Sequence, residues 1–289
     1  ISIVYTAEKR TKKIMSPSIR SLATGLLVTC CLGLHAQEGS LDLGFNPIDI
    51  GFALGANATV NTTVLQPDGK IIVGGGFTTY NGTACNYIAR LNSDGSLDAA
   101  FTPGTGPNTS ISTAALQPDG KIIIGGAFTT YNGTARNYIA RINADGSLDG
   151  SFNPGSGANG TIATMTIQPD GNIIIGGNFT TYSGLAHSRI ARLDPYGSPD
   201  AAFNSGTGAS TTLTTTAVQP DGRIIIGGAF TSYNGAARSR FTRLNTDGSL
   251  DATFGPSTGA DNTVYAARVR PDGKIIIGGA FTTYNGTAR

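Results

Sequence analysis

The stretch Gln66-Pro-Asp-Gly-Lys-Ile-Ile-Val-Gly-Gly75 decides the fold, because near copies of it open at Gln117, Gln168 and Gln219, and a fifth opens at Arg270. Every step is 51 residues, and self-similarity at a fixed period of that size marks a repeat architecture. Counted from Ala58, the units are 58–108, 109–159, 160–210 and 211–261, followed by a partial unit, 262–289. Each complete unit continues past the position equivalent to Arg289 with an apolar stretch such as 137–142, so a fragment of a longer ring is expected.

Within a unit the first strand is expected from Val60 to Gln66, with small counterparts at Ala114, Ala115 and Ala217 that suit a crowded centre. The second, Lys70 to Phe77, is a continuous apolar run bounded by turn signals, the pattern of a strand buried on both faces. Pro67-Asp68-Gly69 joins them: Pro fits the first corner of a type I turn, and Gly the left-handed position that closes such a hairpin with a bulge. A third strand, Tyr87 to Asn92, and a fourth, Leu97 to Phe101, are linked by Ser93-Asp94-Gly95 in the same way. Four antiparallel strands per unit, buried on both faces, describe an all-β chain built as a β-propeller of four-stranded blades. The other candidate, a β-solenoid, stacks mainly parallel strands and has no natural place for two tight Asp-Gly hairpins per unit.

The run Leu65-Gln-Pro-Asp-Gly-Lys-Ile-Ile-Val-Gly-Gly75 with Phe77, followed by Ile88-Ala-Arg-Leu-Asn92 and Asp94-Gly-Ser-Leu-Asp98, resembles the delta-60 repeat over about residues 38–289. That is a β-propeller family of uncharacterised role in large secreted bacterial proteins. The resemblance implies the fold and an extracellular setting but no reaction. The double glycine is also similar to kelch repeats, yet the chain has no Trp and is not assigned there.

Composition agrees with a turn-rich β protein: 41 glycines, and 13% charged residues against a usual ~25%. The net charge of +2 comes from the first 36 residues, which hold five bases and one acid. The remainder carries 15 bases and 17 acids, so no basic footprint for nucleic acid is left. Residues 1–14 precede the first Met and are expected to lie outside the translated product. Residues 15–36 read as a secretory signal, with Met15, Arg20, an apolar run from Leu22 to Leu34, and Leu34-His35-Ala36 before Gln37. Leu34 is large for its place, and Cys30 and Cys31 raise lipoprotein anchoring, but Thr29 and Cys30 fit that processing poorly and ordinary cleavage is favoured. The run is too short for a transmembrane span. Secretion or display at the cell surface follows. Cleavage would leave Cys85 as the only cysteine, with no intrachain disulfide. Residues 37–57 form an N-terminal segment whose Gly39-Ser-Leu-Asp42-Leu-Gly-Phe45 duplicates the fourth-strand motif. It is expected to complete the last blade and close the ring, with an insertion near 47–53.

Repetition inside one chain separates packing from function, since a residue present in every unit is most economically explained by packing. Arg90, Arg141, Arg192 and Arg243 each precede an Asp (Asp98, Asp149, Asp200, Asp251), and charge-assisted pairs within or between blades are expected. Asn92-Ser-Asp94-Gly-Ser-Leu-Asp98 carries oxygens reminiscent of part of a calcium loop, but Asp-Gly turn chemistry accounts for it, and neither a metal nor a cofactor is expected. No catalytic residue is assigned: His187 is the only histidine after the leader, Glu38 the only glutamate, and no Ser/His/Asp or Cys/His set recurs.

Strand parity places the two Asp-Gly turns of a blade at one end, and residues 78–86 with the connection 102–108 at the other. On that long-loop end the column Cys85, Arg136, His187, Arg238 varies in charge and size. Beside it Tyr80, Tyr131, Tyr182, Tyr233 and Tyr284 recur next to Asn81, Asn132, Ser183, Asn234 and Asn285. The tyrosines either fill the seam between blades or stack on a ligand, with the amides adding hydrogen bonds. The expected function is a non-catalytic, secreted or surface binding and adhesion scaffold for a polysaccharide or a surface protein. The alternative is a propeller hydrolase or lyase acting on carbohydrate, whose carboxylates would converge at one end of the axis.

Overall fold

The computed structural model describes residues 55–255 and 258–289. The leader and the segment expected to close the ring, 39–45, lie outside the described residues. Among those described, all regular structure is β, in antiparallel groups that recur with the sequence repeat.

The first repeat sets the pattern. β1 (Val60–Leu65) pairs antiparallel with β2 (Ile71–Gly75), which pairs with the strand Ile88–Leu91; between these two lies a small hairpin, β3 (Thr79–Tyr80) and β4 (Thr83–Ala84), so Ile88–Leu91 becomes β5. The β1 to β2 turn closes as its residues dictate: Gly69 sits at φ 82° and donates its N–H to Gln66 O at 3.0 Å, and Lys70 N–H donates to Asp68 Oδ1 at 3.1 Å. The hairpin between β2 and β5, read from the sequence as plain loop, follows from Asn81-Gly82. Their φ values of 48° and 77° are the paired left-handed residues of a type I′ turn.

The fourth strand is reduced to single bridges, Leu91 to Leu97, Ile142 to Leu148, Leu193 to Pro199 and Leu244 to Leu250. Asp98 turns the chain off the sheet: its Oδ1 accepts from Ala100 N–H at 3.0 Å, and Phe101 N–H donates to its carbonyl at 3.1 Å. Phe101 then buries itself against the next repeat, and Thr102 N–H reaches Asp145 O there at 2.7 Å. At Pro199 the missing N–H removes a ladder donor as well.

The apolar cores lie between repeats rather than inside them. Ile72, Ile88 and Phe101 of the first repeat cluster with Ile111, Ile122, Phe128 and Tyr131 of the second, and Ile123, Ile139 and Phe152 cluster with Ile162, Ile173 and Tyr182 of the third. Each buried Ile or Phe contributes ~1.5–3 kcal/mol, so cohesion is a sum over seams between neighbours. Successive first strands run side by side but belong to separate sheets, which leaves backbone groups along them in need of partners. Threonines supply these. Ala114 N–H donates to Thr62 Oγ1 at 3.2 Å, Thr216 N–H to Thr164 Oγ1 at 3.1 Å, and Ala267 N–H to Thr215 Oγ1 at 3.0 Å.

The double glycine has two separate causes. A Cβ on Gly177 would lie 2.1 Å from Thr161 O, because a register shift at Ile162/Thr164 brings that backbone close. A Cβ on Gly176 would meet Thr164 Cγ2 at 2.8 Å and Leu213 Cβ of the following repeat at 3.3 Å. One glycine therefore admits the bulge and the other admits the next blade. The faces at the two ends of the array are less covered, with Leu65 70% and Ile276 58% exposed.

Candidate functional site

The recurrent tyrosines do not face solvent. Tyr131, Tyr182 and Tyr233 are fully buried, and their hydroxyls donate to Gly146, Gly197 and Gly248 carbonyls at 2.6, 2.8 and 2.8 Å; Tyr80 does the same to Gly95 at 3.1 Å. Each ring thus runs from the hairpin at the long-loop end to the Asp-Gly turn at the other. Burial pushes the Tyr131, Tyr182 and Tyr233 phenols well above their ordinary range, so they stay protonated donors. Stacking on a ligand is excluded for these four, since their faces are spent on the seam. The neighbouring amides are also engaged in the scaffold. Asn132 Oδ1 accepts from Gly106 N–H at 2.8 Å, Asn285 Oδ1 from Gly259 N–H at 2.9 Å, and Asn234 Oδ1 from Thr207 N–H at 3.1 Å. Asn81 shares the turn geometry, and its N–H donates to Gly55 O at 3.1 Å.

The arginine and aspartate pairs form as expected, with Nε to Oδ2 distances of 2.7, 2.6, 2.7 and 2.7 Å for Arg90–Asp98, Arg141–Asp149, Arg192–Asp200 and Arg243–Asp251. Their reach into the next blade was not visible in the sequence. Arg141 Nη1 donates to Pro195 O at 2.7 Å, Arg90 Nη1 to Ala144 O, and each guanidinium lies over the Phe that ends its own repeat, at 4.7 to 5.2 Å. Lys70, the Ala100 N–H and Arg90 hold Asp98 down to about 2 against the opposing effect of burial, and Thr253 and Arg243 hold Asp251 there too. Carboxylates fixed in this way are poor proton carriers at neutral pH. Among the described residues no three His, Cys, Asp or Glu side chains gather into a possible metal site.

The variable column behaves differently. Cys85, Arg136, His187 and Arg238 are all half-buried, one per repeat, at the base of the hairpins. Arg136 Nη1 and Arg238 Nη1 donate to the carbonyls of Ala135 and Ala237 at 2.8 and 2.7 Å. Yet Arg136 Nε, His187 Nε2 and Arg238 Nε are buried without a hydrogen-bond partner among the described residues. Burial lowers the His187 pKa and keeps the imidazole neutral, and burial raises Cys85, which stays a thiol. Cys85 borders a cleft of about 400 Å³ whose wall includes Asn86, Arg90, Asp98, Phe101 and Pro103.

Two residues downstream, sequence reasoning missed a second set. Tyr87, Tyr138, Arg189 and Arg240 sit at φ 65°, 67°, 72° and 63°. A left-handed conformation costs a bulky residue ~1–2 kcal/mol, and no Gly or Asn marked these positions in advance.

A family model described as a domain of unknown function (DUF5122) β-propeller matches residues 66–101, 117–152, 168–203, 219–254 and 270–289, together more than half of the chain. The chain belongs to this family. Each DUF5122 match begins at the first residue of the Pro-Asp-Gly turn, and the four complete ones run through to the Phe that packs on the next blade. The resemblance to a propeller repeat of unknown role therefore holds, although the delta-60 label is not part of the match. No curated protein matches the chain significantly. Among solved structures it is similar to the WD40 β-propeller domain of Doa1, at 18% identity and TM-score 0.51, covering 78% of this chain and 62% of that one. It is also similar to PorZ, a bacterial surface component of the type-IX secretion system of Porphyromonas gingivalis, at 13% identity and TM-score 0.51, covering 80% of this chain and 33% of that one. At these identities the likeness concerns the fold alone, and the chain spans less than two thirds of either protein.

Proposed function

We propose that this DUF5122 chain is a secreted or cell-surface, non-catalytic binding scaffold whose long-loop face engages a polysaccharide or a surface protein. The observation that carries the reading is the column of unsatisfied nitrogens, Arg136 Nε, His187 Nε2 and Arg238 Nε, on three successive blades. A buried polar group without a partner costs ~1–3 kcal/mol, and packing gives no reason for it, because the repeat with Cys85 in the same column folds without one. The left-handed Arg189 and Arg240 lie two residues beyond the column, and Arg189 Nε is likewise buried without a partner among the described residues. Three quasi-equivalent contacts of modest strength combine through effective concentration, which suits a repeating glycan or an extended protein surface. The signal-like leader supports the extracellular setting. Asp98, Asp149, Asp200 and Asp251, each tied to the arginine of their own repeat, lend no support to the carbohydrate hydrolase or lyase alternative.

Replacing Arg136, His187 and Arg238 together by Ala is expected to weaken binding to arrayed bacterial polysaccharides and whole cells at least tenfold while leaving the melting temperature unchanged. Unchanged binding rejects the reading.

A further inference from the structure

Charge is sorted between the two ends of the blades. Among the described residues the aspartates sit in the turns of the Pro-Asp-Gly end, as Asp68, Asp119 and Asp145 do, or are tied to the arginine of their own repeat. Asp261 alone of them lies at the long-loop end, and it is spent on the hairpin that follows. Its Oδ1 accepts from Thr282 and Thr283 N–H at 2.8 and 3.1 Å, and its Oδ2 from the Thr282 hydroxyl at 2.7 Å. Arg136, Arg189, Arg238 and Arg240 share that end, and none of the four enters an ion pair among the described residues. Beyond residue 36 the chain holds more acids than bases, yet this end carries positive charge with no free carboxylate beside it.

Two of these arginines stand where the repeats themselves show that packing leaves the choice open. The left-handed residue is Tyr87 in the first repeat and Tyr138 in the second, then Arg189 and Arg240, at φ values between 63° and 72°. One backbone conformation therefore accepts a phenol or a guanidinium, and what changes is the group offered at the seam. Between the second and third repeats Tyr138 borders a groove of about 360 Å³ with Asn137, Ser156, Asn159 and Thr181. Hydrogen bonds fix its walls: Asn137 Nδ2 donates to Ser156 O at 2.9 Å, and Asn159 Oδ1 accepts from Thr181 N–H at 2.9 Å. In the next two seams Arg189 and Arg240 take the place of the tyrosine, and Arg189 keeps one scaffold bond, from Nη1 to Phe179 O at 3.2 Å. Tyr138, Arg189 and Arg240 belong to the second, third and fourth repeats, each with a neighbour on both sides, so the open faces at the ends of the array play no part.

We propose that the long-loop ends of the second to fourth repeats bind a carboxylate-bearing polysaccharide, with one sugar ring against Tyr138 in its groove and further carboxylates on Arg189 and Arg240. The inference rests on the reading of this end as the ligand face, and it adds the charge of the ligand. Guanidinium forks match planar carboxylates, and one site per blade matches a polymer that repeats its charge. An acidic peptide would instead add to an open strand edge, and the hairpin strands at this end are only 2 residues long.

The test titrates the full chain with polygalacturonate, with neutral dextran and with poly-L-glutamate of similar length, by calorimetry at several salt concentrations. The variant R189Y/R240Y installs the residue that the first two repeats already carry in that backbone conformation, so it is built to fold. Polygalacturonate is expected to bind about tenfold tighter than either other polymer, with an affinity that falls as salt rises. R189Y/R240Y should lower that affinity about tenfold and flatten its salt dependence, and Y138A should lower it with the salt dependence kept. Equal binding of dextran or of poly-L-glutamate overturns the proposal, as does unchanged binding in R189Y/R240Y. If R136A/H187A/R238A weakens binding while R189Y/R240Y does not, this inference falls and the column reading stands. If only R189Y/R240Y weakens it, the column reading falls and this inference stands.

Discussion

The two glycines that close the second strand allow the repeat to test its own packing. In G176A the new Cβ would lie 2.8 Å from Thr164 Cγ2 and 3.3 Å from both Leu213 Cβ and Thr216 Cγ2, all on stiff β-carbons or branched side chains of first strands. The quasi-equivalent Gly278 has nothing within 4 Å of the same point. Overpacking costs ~1–3 kcal/mol, whereas Gly to Ala at an unstrained position stabilises by ~0.4–1 kcal/mol through the unfolded chain. The net expectation is a loss of ~1–2 kcal/mol for G176A and a gain of ~0.5 kcal/mol for G278A. For a chain of this size a kcal/mol moves the melting temperature by ~2–4 °C, so the two variants should differ by several degrees in opposite directions. Urea unfolding followed by circular dichroism gives the same comparison, with tyrosine emission as a second probe of cooperativity. If the two substitutions shift stability by the same amount and sign, the first glycine is not there to admit the next blade.

Three further outcomes follow from the seams. R141A should destabilise by ~3–5 kcal/mol, since it leaves Asp149 buried with only Lys121 at 3.1 Å as a cation; R192A should cost less, because the Asp200 side chain is 23% exposed, and urea midpoints order the two. Y182F should cost ~1–2 kcal/mol by leaving the Gly197 carbonyl unpaired, measured in the same way. Asp98 and Asp251 sit at about 2 in the folded chain, below their ordinary value near ~4, so the stability they add is present above pH ~4 and is lost as the pH falls toward 2. Melting temperature at low salt should therefore drop between pH 5 and 2, and D98N/D251N, less stable at pH 7, should show a shallower drop.

The period, the second strand and the Asp-Gly turns were legible in the sequence because each depends on local chemistry that one repeat contains. The reach of Arg141 to Pro195 and of Phe101 into the next repeat was not, because residues 54 apart, as in the first case, meet only once the seam exists. The fourth strand was overread for a related reason. Leu97 to Phe101 has a strand-like pattern, but Asp98 bends it away and Phe101 finds its apolar neighbours in the following blade. The hairpin at Asn81-Gly82 was legible and passed over, since the Asn-Gly pair is itself a turn signal. At the candidate site, the variable column was visible as variation, but its unsatisfied nitrogens and the left-handed Arg189 and Arg240 needed coordinates. For the tyrosines two roles stayed open, filling the seam or stacking on a ligand, because an aromatic beside a loop looks the same in sequence whether it points outward or along the blade; the burial of Tyr80, Tyr131, Tyr182 and Tyr233 decides for the seam.

Cores that lie between repeats have an evolutionary consequence. An ordinary domain that gains 51 residues must accommodate them in a core already filled, whereas here a duplicated unit brings both halves of a seam: Ile123 and Phe152 on the side it offers, Ile162 and Tyr182 on the side it receives. Unequal recombination between such near-identical coding units can therefore lengthen or shorten the array without redesigning any interior. Selection is left to act on the few side chains, such as Cys85, His187 and Arg238, that differ from repeat to repeat while the seams stay the same.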